Sequence, residues 1–353
     1  MQLHQRINAF SALGKFLGQF SSETPVKKED VLNNDAFFSE MQQKMHAAKH
    51  HNGWFTEDNL HFTFKSWAEA LTEDNVNKWI SKYTIPETEP KTVAIIMAGN
   101  IPLVGFHDFL SVLITGNKVL AKLSSNDKQL LPFLAEYLIS VEPEFKSLID
   151  FTEGRLTSFD AVIATGSDNT ARYFEYYFSK YPNIIRKNRN SVAVLTGNET
   201  NEEMEFLADD IFRYFGLGCR NISKIYLPED YDYDKFFNGM FSWKHVINNH
   251  KYINNYDYNK AVYLMSDIKL LDNEYLLLKE DTGYSSPISV TFYEKYSNLE
   301  DVKKKLKEEA DKIQAVVSNT GIDNEIPFGT AQNPELWDYA DGVDTVDFLL
   351  KLS

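Results

Sequence analysis

The fold of this chain is decided by residues 92–125, which read TVAIIMAGNIPLVGFHDFLSVLITGNKVLAKLSS. Thr92–Ala98 is a continuous apolar run with β-branched residues, which is typical of a strand buried on both faces. A helix-like segment, Val104–Ile114, follows it, and Lys118–Leu123 reads as a second buried strand. A strand, a helix and a strand within about 30 residues form a βαβ unit, so this stretch predicts a parallel sheet.

The same alternation continues along the chain. Further strands are predicted within residues 159–166 (FDAVIATG), 191–196, 223–227, 288–293 and 315–318. Amphipathic helices are predicted over residues 129–141, 170–181, 202–214 and 299–313. This alternation favours an α/β protein with parallel sheets flanked by helices. Residues 229–285 are polar and rich in aromatic side chains, and they indicate loops and helices.

The first 85 residues read mostly as helix. Apolar residues recur near the N-terminus at spacings of three and four, which places them on one helix face. The residues on that face are Leu3, Ile7, Phe10, Leu13, Phe16, Leu17 and Phe20.

Length, composition and charge exclude several classes of protein. The 353 residues are 43% hydrophobic and carry 51 acidic against 36 basic side chains, which gives a formal net charge of −15. Such a chain can build real apolar cores, and about 150 residues per domain suggests two domains. A field of that sign repels nucleic acid and anionic lipid, so neither is an expected partner.

The cellular location is inferred from cysteine use and hydropathy. The chain has one cysteine, Cys219, which cannot form an internal disulfide and fits a reducing compartment. No signal peptide is apparent at the N-terminus. The longest apolar region, around residues 101–116, is interrupted by His107 and Asp108, and a spanning helix needs about 20 apolar residues. We therefore expect a cytoplasmic protein without a membrane span.

Polar residues follow three of the predicted strands. Parallel sheets bind ligands at the carboxyl ends of their strands, where Asn100, Ser124 and Gly166-Ser167 are expected to converge. The Asn100 amide could stabilise an oxyanion or belong to an ordinary Gly-Pro turn. Lys122 is either solvated or a ribose or phosphate ligand. The Gly166-Ser167 turn either caps the next helix or binds a phosphate there.

Cys219 is the strongest single candidate for a catalytic residue in the sequence. Gly216 and Gly218 precede it and allow the main chain to turn tightly, and Arg220 places a positive charge beside the thiol, which favours the nucleophilic thiolate. The alternative is a buried cysteine that only packs. The motifs GxGxxG, GxxxxGK[ST] and HExxH are missing, which argues against an ordinary Rossmann dehydrogenase, a P-loop protein and a zincin, and no metal site is predicted.

Taken in order, these pieces resemble the aldehyde dehydrogenase superfamily over about residues 90–335. GNIPLVGFHDFLSVLITGNKVLAKLSS is similar to its Asn-Phe-Pro helix start and the strand that ends in Lys-Pro-Ser, and ATGS at 164–167 is similar to its Thr-Gly-Ser turn. GLGC at 216–219 resembles its nucleophilic cysteine motif, and PFG at 327–329 its C-terminal Pro-Phe-Gly. GNIPLVGFHD, GCRNISKIYLP and the tail FGTAQNPELWDYADGVDTVDFL resemble the acyl-CoA reductase (LuxC-type) branch, which makes fatty aldehydes from acyl thioesters.

The resemblance implies an aldehyde dehydrogenase-like fold with two open parallel-sheet domains and a helical N-terminal segment. It divides the chain into residues 1–88 (the helical segment), 89–188 (an NAD(P)-binding domain), 189–330 (a catalytic domain carrying the cysteine) and 331–353 (a C-terminal tail). It also implies a homo-oligomer.

Site residues are likewise implied by the resemblance. Cys219 becomes the acyl acceptor, and Asn100, with the cysteine's own N–H, stabilises the oxyanion. His107 is a third catalytic candidate that could steer CoA or protonate the leaving thiolate, although a structural histidine fits its position equally well. The implied cofactor-binding residues are Lys122 at the adenosine ribose, Ser124 and Ser125 beside it, Gly166 and Ser167 at the pyrophosphate, and Glu280 or Asp281 at the nicotinamide ribose.

Two departures from the superfamily pattern bear on the reaction. Ser125 stands where NAD-preferring members often have a glutamate, so NADPH is favoured over NADH. Residues 186–190 (RKNRN) carry no carboxylate where hydrolytic members have the base that activates water, and without it a thioacyl enzyme would survive for hydride attack.

The resulting hypothesis is an NADPH-dependent reductase that converts a medium- or long-chain acyl-CoA or acyl-carrier thioester to the aldehyde. Two alternatives stay open. One is a short-chain, CoA-acylating aldehyde dehydrogenase, and the other is a non-catalytic subunit that retains the fold.

Overall fold

The computed structural model describes residues 1–352, which form two compact units. The first unit contains Met1–Lys187 together with the segment from Glu335 onward, and the second contains Asn188–Pro334. The C-terminal tail expected over residues 331–353 therefore belongs mostly to the first unit, and its last residue, Ser353, lies outside the described residues.

A five-stranded parallel sheet forms the centre of the first unit. Its strands are β1 (Thr92–Ile96), β2 (Lys118–Lys122), β3 (Ile149–Phe151), β4 (Ala161–Thr165) and β5 (Asn183–Arg186), in the order β3-β2-β1-β4-β5. Ile96 of β1 lies opposite Lys122 of β2 and Ala164 of β4, so these three strands end at the same level. The βαβ unit predicted from residues 92–125 is confirmed.

Helices cover this sheet, and most of them share one apolar core with it. They are α1 (Leu3–Leu17), α2 (Asn34–His51), α3 (Glu57–Ala70), α4 (Glu73–Ile80), α5 (Phe106–Ile114), α6 (Leu130–Val141), α7 (Asp168–Phe178) and α12 (Thr345–Leu350). Thr56 and Thr72 start α3 and α4 by accepting a hydrogen bond from the backbone N–H three residues on. Phe10 and Phe16 of α1 belong to the same buried cluster as Val93 of β1. The predicted helical N-terminal segment is confirmed, and it packs into the first unit.

The C-terminal tail is attached to the first unit by buried polar groups. Arg186, at the end of β5, forms a buried ion pair with Asp108 of α5 and donates a hydrogen bond to the Thr345 hydroxyl at 3.1 Å. The Trp79 indole N–H donates to the Tyr339 hydroxyl oxygen at 2.7 Å, and the Tyr83 and Tyr339 hydroxyl oxygens are also 2.7 Å apart. Burial is the main cause that raises the pKa of Tyr83, to about 12. These contacts fix residues 335–352 against α4 and α5.

A six-stranded sheet forms the centre of the second unit. Its strands are β6 (Asn190–Val194), β7 (Ile222–Pro228), β8 (Leu270–Asp272), β9 (Leu277–Glu280), β10 (Val290–Tyr296) and β11 (Ile313–Val317), in the order β11-β6-β7-β10-β9-β8. The pairs are parallel except for the antiparallel edge pair β8–β9. The helices are α8 (Asn201–Phe212), α9 (Tyr233–Gly239), α10 (His250–Met265) and α11 (Leu299–Glu308).

The α/β class and the two open, mainly parallel sheets are therefore confirmed. Residues 229–285 contain the predicted helices α9 and α10, and also the two short strands β8 and β9, which the sequence did not indicate. None of the helices within residues 1–352 combines the length and the apolar run that a membrane crossing needs.

The buried Asp108–Arg186 pair gives a stability prediction. Asp108→Asn leaves the guanidinium without its buried counter-charge, and we expect the free energy of unfolding to fall by about 3 kcal/mol. Urea denaturation followed by tryptophan fluorescence measures this, because four of the five tryptophans lie in the first unit.

The matched control is the exposed pair of Glu175 and Lys187, whose charged atoms lie 2.8 Å apart. Glu175→Gln should change the free energy of unfolding by less than about 1 kcal/mol, as is usual for surface pairs. Equal effects of the two substitutions would contradict the structural importance of the Asp108–Arg186 pair.

Candidate active site

The carboxyl edge of the first sheet gathers most of the residues that the sequence singled out. Gly99-Asn100 follows β1, Ser124-Ser125 follows β2, and Gly166-Ser167 follows β4, and these three strands end at the same level. The chain passes from β1 to β2 and β3 on one side, and later fills the other side with β4 and β5. The end of β1 is therefore a topological switch point, where open α/β sheets bind their ligands.

Gly99 allows the loops after β1 and β2 to touch. A Cβ atom built on Gly99 would lie 2.5 Å from the Ser124 Oγ, so a larger residue would push the two loops apart. The Ser124 Oγ itself accepts a hydrogen bond from the backbone N–H of Asn126 at 3.2 Å. Asn100, which follows Gly99, is half-buried. The structure thus places Asn100 and Ser124 on adjoining loops.

Asp127 holds the turn that follows Asn100, and sequence reasoning missed it. Its Oδ2 accepts a hydrogen bond from the backbone N–H of Leu103 at 3.2 Å. Leu103 has a left-handed backbone conformation with φ of 56°, which costs a non-glycine residue energy unless its surroundings fix it. Burial raises the pKa of Asp127 to about 6, and the backbone N–H groups of Leu103 and Leu130 oppose that shift.

The other proposed cofactor residues of this edge make local contacts. The Lys122 Nζ donates a hydrogen bond to the carbonyl oxygen of Gly154 at 2.9 Å, and Ser125 is exposed. The Ser167 Oγ caps α7 by accepting from the backbone N–H of Thr170 at 3.4 Å. A Cβ atom on Gly166 would meet Thr170 at 3.0 Å, so the turn is tightly packed there. Helix capping by Ser167, one of the two roles left open, is thus observed.

The surroundings of His107 are structural. Its Nε2–H donates to the Leu336 carbonyl oxygen at 2.9 Å, and the ring packs between those of Trp79 and Tyr339 at centroid distances of 5.5 and 5.6 Å. Burial is the largest cause that lowers the pKa of His107. Of the two readings of this residue, the contacts favour a structural histidine that fixes the C-terminal tail over a catalytic one.

Cys219 lies in the second unit, on a turn three residues before β7. The residue is exposed, unlike a cysteine that only fills a core. The turn follows α8 through three consecutive left-handed residues, Tyr214, Phe215 and Gly216, with φ values of 54°, 58° and 76°. The Ser191 hydroxyl donates a hydrogen bond to the Cys219 carbonyl oxygen at 3.0 Å. The thiol is therefore carried on an irregular turn whose backbone is held by neighbouring groups.

Glu280 lies on a short strand, β9, that the sequence did not indicate. Glu280 ends β9 and pairs with Tyr293 of β10, which pairs with Ile225 of β7. Ile225 is the fourth of the seven residues of β7, and about 10 Å of strand separates it from Ile222, where β7 begins after the Cys219 turn. Glu280 is therefore level with the middle of β7, and its assignment to the nicotinamide ribose stays a prediction.

Asp281, the other candidate for the nicotinamide ribose, makes local contacts. It forms an ion pair with Lys279, and its Oδ1 accepts from the backbone N–H of Gly283 at 2.8 Å. These contacts hold the pKa of Asp281 below its usual value, the Lys279 hydrogen bond being the largest cause.

The chain returns after β9 towards the end of the sheet that carries the thiol. The Ser223 hydroxyl, at the start of β7, donates to the Tyr284 carbonyl oxygen at 2.7 Å. A small cavity lies between Gly216, Ile222 and Ser223 on one side and residues 286–291 on the other. Its water-accessible volume is about 20 Å³, which is room for one water molecule. Tyr284 and residues 286–291 therefore border the beginning of β7. Within residues 1–352, no group of three His, Cys, Asp or Glu side chains is placed to hold a metal ion.

The fold is that of the aldehyde dehydrogenases. Aldehyde dehydrogenase 21 from Physcomitrella patens, solved with the reaction product succinate, is 12% identical, with a TM-score of 0.66 over 100% of this chain and 84% of that one. An acetylating aldehyde dehydrogenase from Geobacillus thermoglucosidasius is 12% identical, with a TM-score of 0.60 over 90% and 76% of the two chains. A Mycobacterium tuberculosis aldehyde dehydrogenase complexed with NAD+ is 15% identical, with a TM-score of 0.58 over 90% and 73%.

The family follows from the sequence itself. The model of the acyl-CoA reductase (LuxC) family matches residues 40–242, which is more than half of the chain. The chain belongs to this family, and it is an oxidoreductase acting on acyl thioesters and aldehydes. A search of curated proteins finds no match.

Asp127 gives a pH-dependent prediction. Its pKa is about 6 in the folded protein and near the usual aspartate value of 3.8 in the unfolded chain, so the folded state binds more protons between these values. Its contribution to the free energy of unfolding is therefore present at low pH and is lost as the pH rises through about 6. Relative to Asp127→Asn, which cannot titrate, the wild type should lose about 2 kcal/mol between about pH 4.5 and about pH 7.

Urea denaturation of both proteins at the two pH values measures the difference, and the other titrating groups cancel in it. A difference that stays constant, or that grows with pH, would show that the Asp127 carboxyl is not held in the buried position described.

Proposed function

We propose that the protein reduces a medium- or long-chain acyl-CoA or acyl-carrier thioester to the aldehyde, with NADPH as the hydride donor and Cys219 as the acyl acceptor. The observation that carries the proposal is that the only cysteine of this acyl-CoA reductase family member is exposed on a held turn before β7. The first unit would bind the cofactor, and the second unit would carry the nucleophile. The homo-oligomer and the cytoplasmic location stay predictions.

The proposed chemistry begins at the thiol. The Cys219 thiolate attacks the thioester carbonyl carbon, the new carbon–sulfur bond forms, and the old one breaks as the CoA or carrier thiol leaves. The charge of Arg220 favours the thiolate, and the Asn100 amide, with the Cys219 N–H, donates hydrogen bonds to the oxyanion. A nicotinamide cofactor, when bound, supplies the hydride that turns the thioacyl group into the aldehyde. Release of the aldehyde returns the cysteine to its starting state.

The carboxyl edge of the first sheet fits a nicotinamide dinucleotide. The close approach of Gly99 to Ser124 and the packing of Gly166 leave backbone, rather than side chains, at the ends of β1 and β4. Lys122 supplies an ammonium group at the end of β2. Ser125 is neutral and exposed, so it does not repel a 2′-phosphate, and this supports NADPH over NADH.

The region before β6 supports reduction over hydrolysis. Residues 186–190 carry no carboxylate, and Arg186 is occupied by its buried ion pair with Asp108. A water molecule needs a positioned base to attack a thioacyl group efficiently, and this segment supplies none.

Acylation of Cys219 tests the proposal directly. Incubation with acyl-CoA of 2 to 16 carbons, without cofactor, should add one acyl mass to the intact wild-type protein in mass spectrometry. Cys219→Ala should show no adduct and should lose at least about 10³-fold in NADPH-dependent turnover, because the nucleophile is gone. Asn100→Ala is the contrasting variant: its acylation should be slower by about 10²–10³-fold and still reach completion.

The chain-length profile distinguishes the alternatives. Acylation and NADPH oxidation confined to the shortest acyl groups would identify a short-chain, CoA-acylating aldehyde dehydrogenase. No adduct and no turnover at any length, with CoA or with carrier thioesters, would leave a non-catalytic subunit.

Ser125 tests the cofactor preference. Ser125→Glu places a carboxylate beside the predicted 2′-phosphate position, and kcat/KM for NADPH should fall about tenfold, the effect of about 1.4 kcal/mol of repulsion. The value for NADH should change by less than about threefold. Ser22→Glu, another exposed serine of the same unit, is the control for added charge. Equal losses with both cofactors, or no loss with NADPH, would contradict the placement of Ser125 beside the 2′-phosphate.

A further inference from the structure

The buried side chain of Asn221 contacts the Cys219 turn within the second unit. Its side chain is 3% exposed. The Oδ1 accepts a hydrogen bond from the backbone N–H of Gly218 at 2.8 Å, and the Nδ2 donates to the carbonyl oxygens of Arg213 at 2.8 Å and Asp210 at 3.1 Å. One amide group therefore joins the residue before the cysteine to the last turn of α8.

Asp210 joins the same helix to the segment after the Pro-Phe-Gly sequence. Its side chain is fully buried, and its two carboxylate oxygens accept hydrogen bonds from the backbone N–H groups of Gly329 at 2.7 Å and Ala331 at 3.0 Å. Its carbonyl oxygen meanwhile accepts from Asn221. Asp210 thus lies between the Cys219 turn and residues 327–331.

Arg220 completes a ring of contacts that also contains Asp210, Ala331 and Asn221. Its Nε–H donates to the Ala331 carbonyl oxygen at 2.6 Å, so the Ala331 residue is held at its N–H by Asp210 and at its carbonyl by Arg220. The ring runs from Asp210 through Ala331, Arg220 and Asn221 back to Asp210. Two of its four members are the residues that directly follow the cysteine.

We infer that Asp210 and Asn221 are positioning residues, which fix the Cys219 turn against the Pro-Phe-Gly segment so that the thiol is held in one orientation. The left-handed residues Tyr214, Phe215 and Gly216 support this, because such a backbone persists only where its surroundings over-determine it. The burial of Asp210 supports it as well. Desolvation is the largest cause that raises the pKa of that carboxyl, to about 7, and the neighbouring charge of Asp209 raises it further. The backbone N–H donors and the charge of Arg220 lower the pKa and so oppose this shift.

The inference rests on the proposed function for its effect on turnover. A thiol and a carbonyl react when they are held in near-attack geometry, and a misplacement of about 1 Å can cost about 10²-fold in rate. Loss of the ring should therefore lower kcat, while KM for the acyl thioester, which reports mainly on contacts elsewhere, should change little.

The experiment compares the wild type with Asp210→Asn, Asn221→Ala and a matched control, Glu205→Gln, which removes a charge from an exposed position of the same helix. Asp210→Asn keeps the shape of the side chain but can no longer accept from both N–H groups. We expect kcat to fall about 30- to 100-fold in both ring variants, with KM within about threefold. The control should match the wild type.

Hydrogen–deuterium exchange supplies a readout that does not depend on turnover. Peptides covering residues 213–221 should exchange about tenfold faster in both ring variants. Those covering residues 327–332 should do so mainly in Asp210→Asn. If Asp210→Asn fails to fold, Arg220→Lys serves instead, since it keeps the charge and removes the Nε donor to Ala331.

The outcomes distinguish a failure of the positioning role from a failure of the proposed function. A loss of kcat with unchanged exchange in residues 213–221, or unchanged kcat and exchange in folded ring variants, would overturn the positioning role. A wild type that no acyl thioester acylates would overturn the proposed function, and the exchange data would still decide whether the ring holds the turn.

Discussion

Two irregular loops, one in each unit, depend on one constraint: a buried backbone N–H group must find a hydrogen-bond acceptor. Neither the turn after Asn100 nor the segment after residues 327–329 belongs to a helix or a strand, so its N–H groups lack regular partners. A carboxylate meets this need in each unit. Asp127 accepts from Leu103 in the first unit, and Asp210 accepts from Gly329 and Ala331 in the second. Burial raises the pKa of each carboxyl. In both places the carboxylate holds the loop in its conformation but loses contact with water, which disfavours its charged form.

The parts of the fold that the sequence predicted are those with strong local patterns. Parallel strands buried on both faces carry continuous apolar runs, and therefore Thr92–Ala98 could be recognised from its residues alone. Strand β9 (Leu277–Glu280) is four residues long and lies beside an edge strand, so no periodicity develops. The position of Glu280 in the sheet could therefore not be predicted.

The residues of the candidate site also fall into those that could be predicted from the sequence and those that could not. Asn100, Ser124 and Gly166 were expected at one edge because topology alone brings the carboxyl ends of parallel strands together. Asp127 and Asp210 were missed because their partners lie 24 residues away in one case and 119 in the other. One local signal for Asp210 existed: it occupies the buried face of α8, three residues after Leu207, and a charge in an apolar stripe requires a partner.

The two units use opposite ends of their sheets. The proposed cofactor residues follow strands of the first unit, whereas Cys219 precedes β7 and comes after the C-terminus of α8. The last carbonyl groups of a helix have no partner within it and need donors from elsewhere. Asn221 donates to three carbonyl oxygens there, those of Asp210, Ile211 and Arg213, and Arg220 adds a positive charge next to the cysteine. The residues that follow Cys219 therefore satisfy the last carbonyl groups of α8 and hold the turn of the cysteine in place.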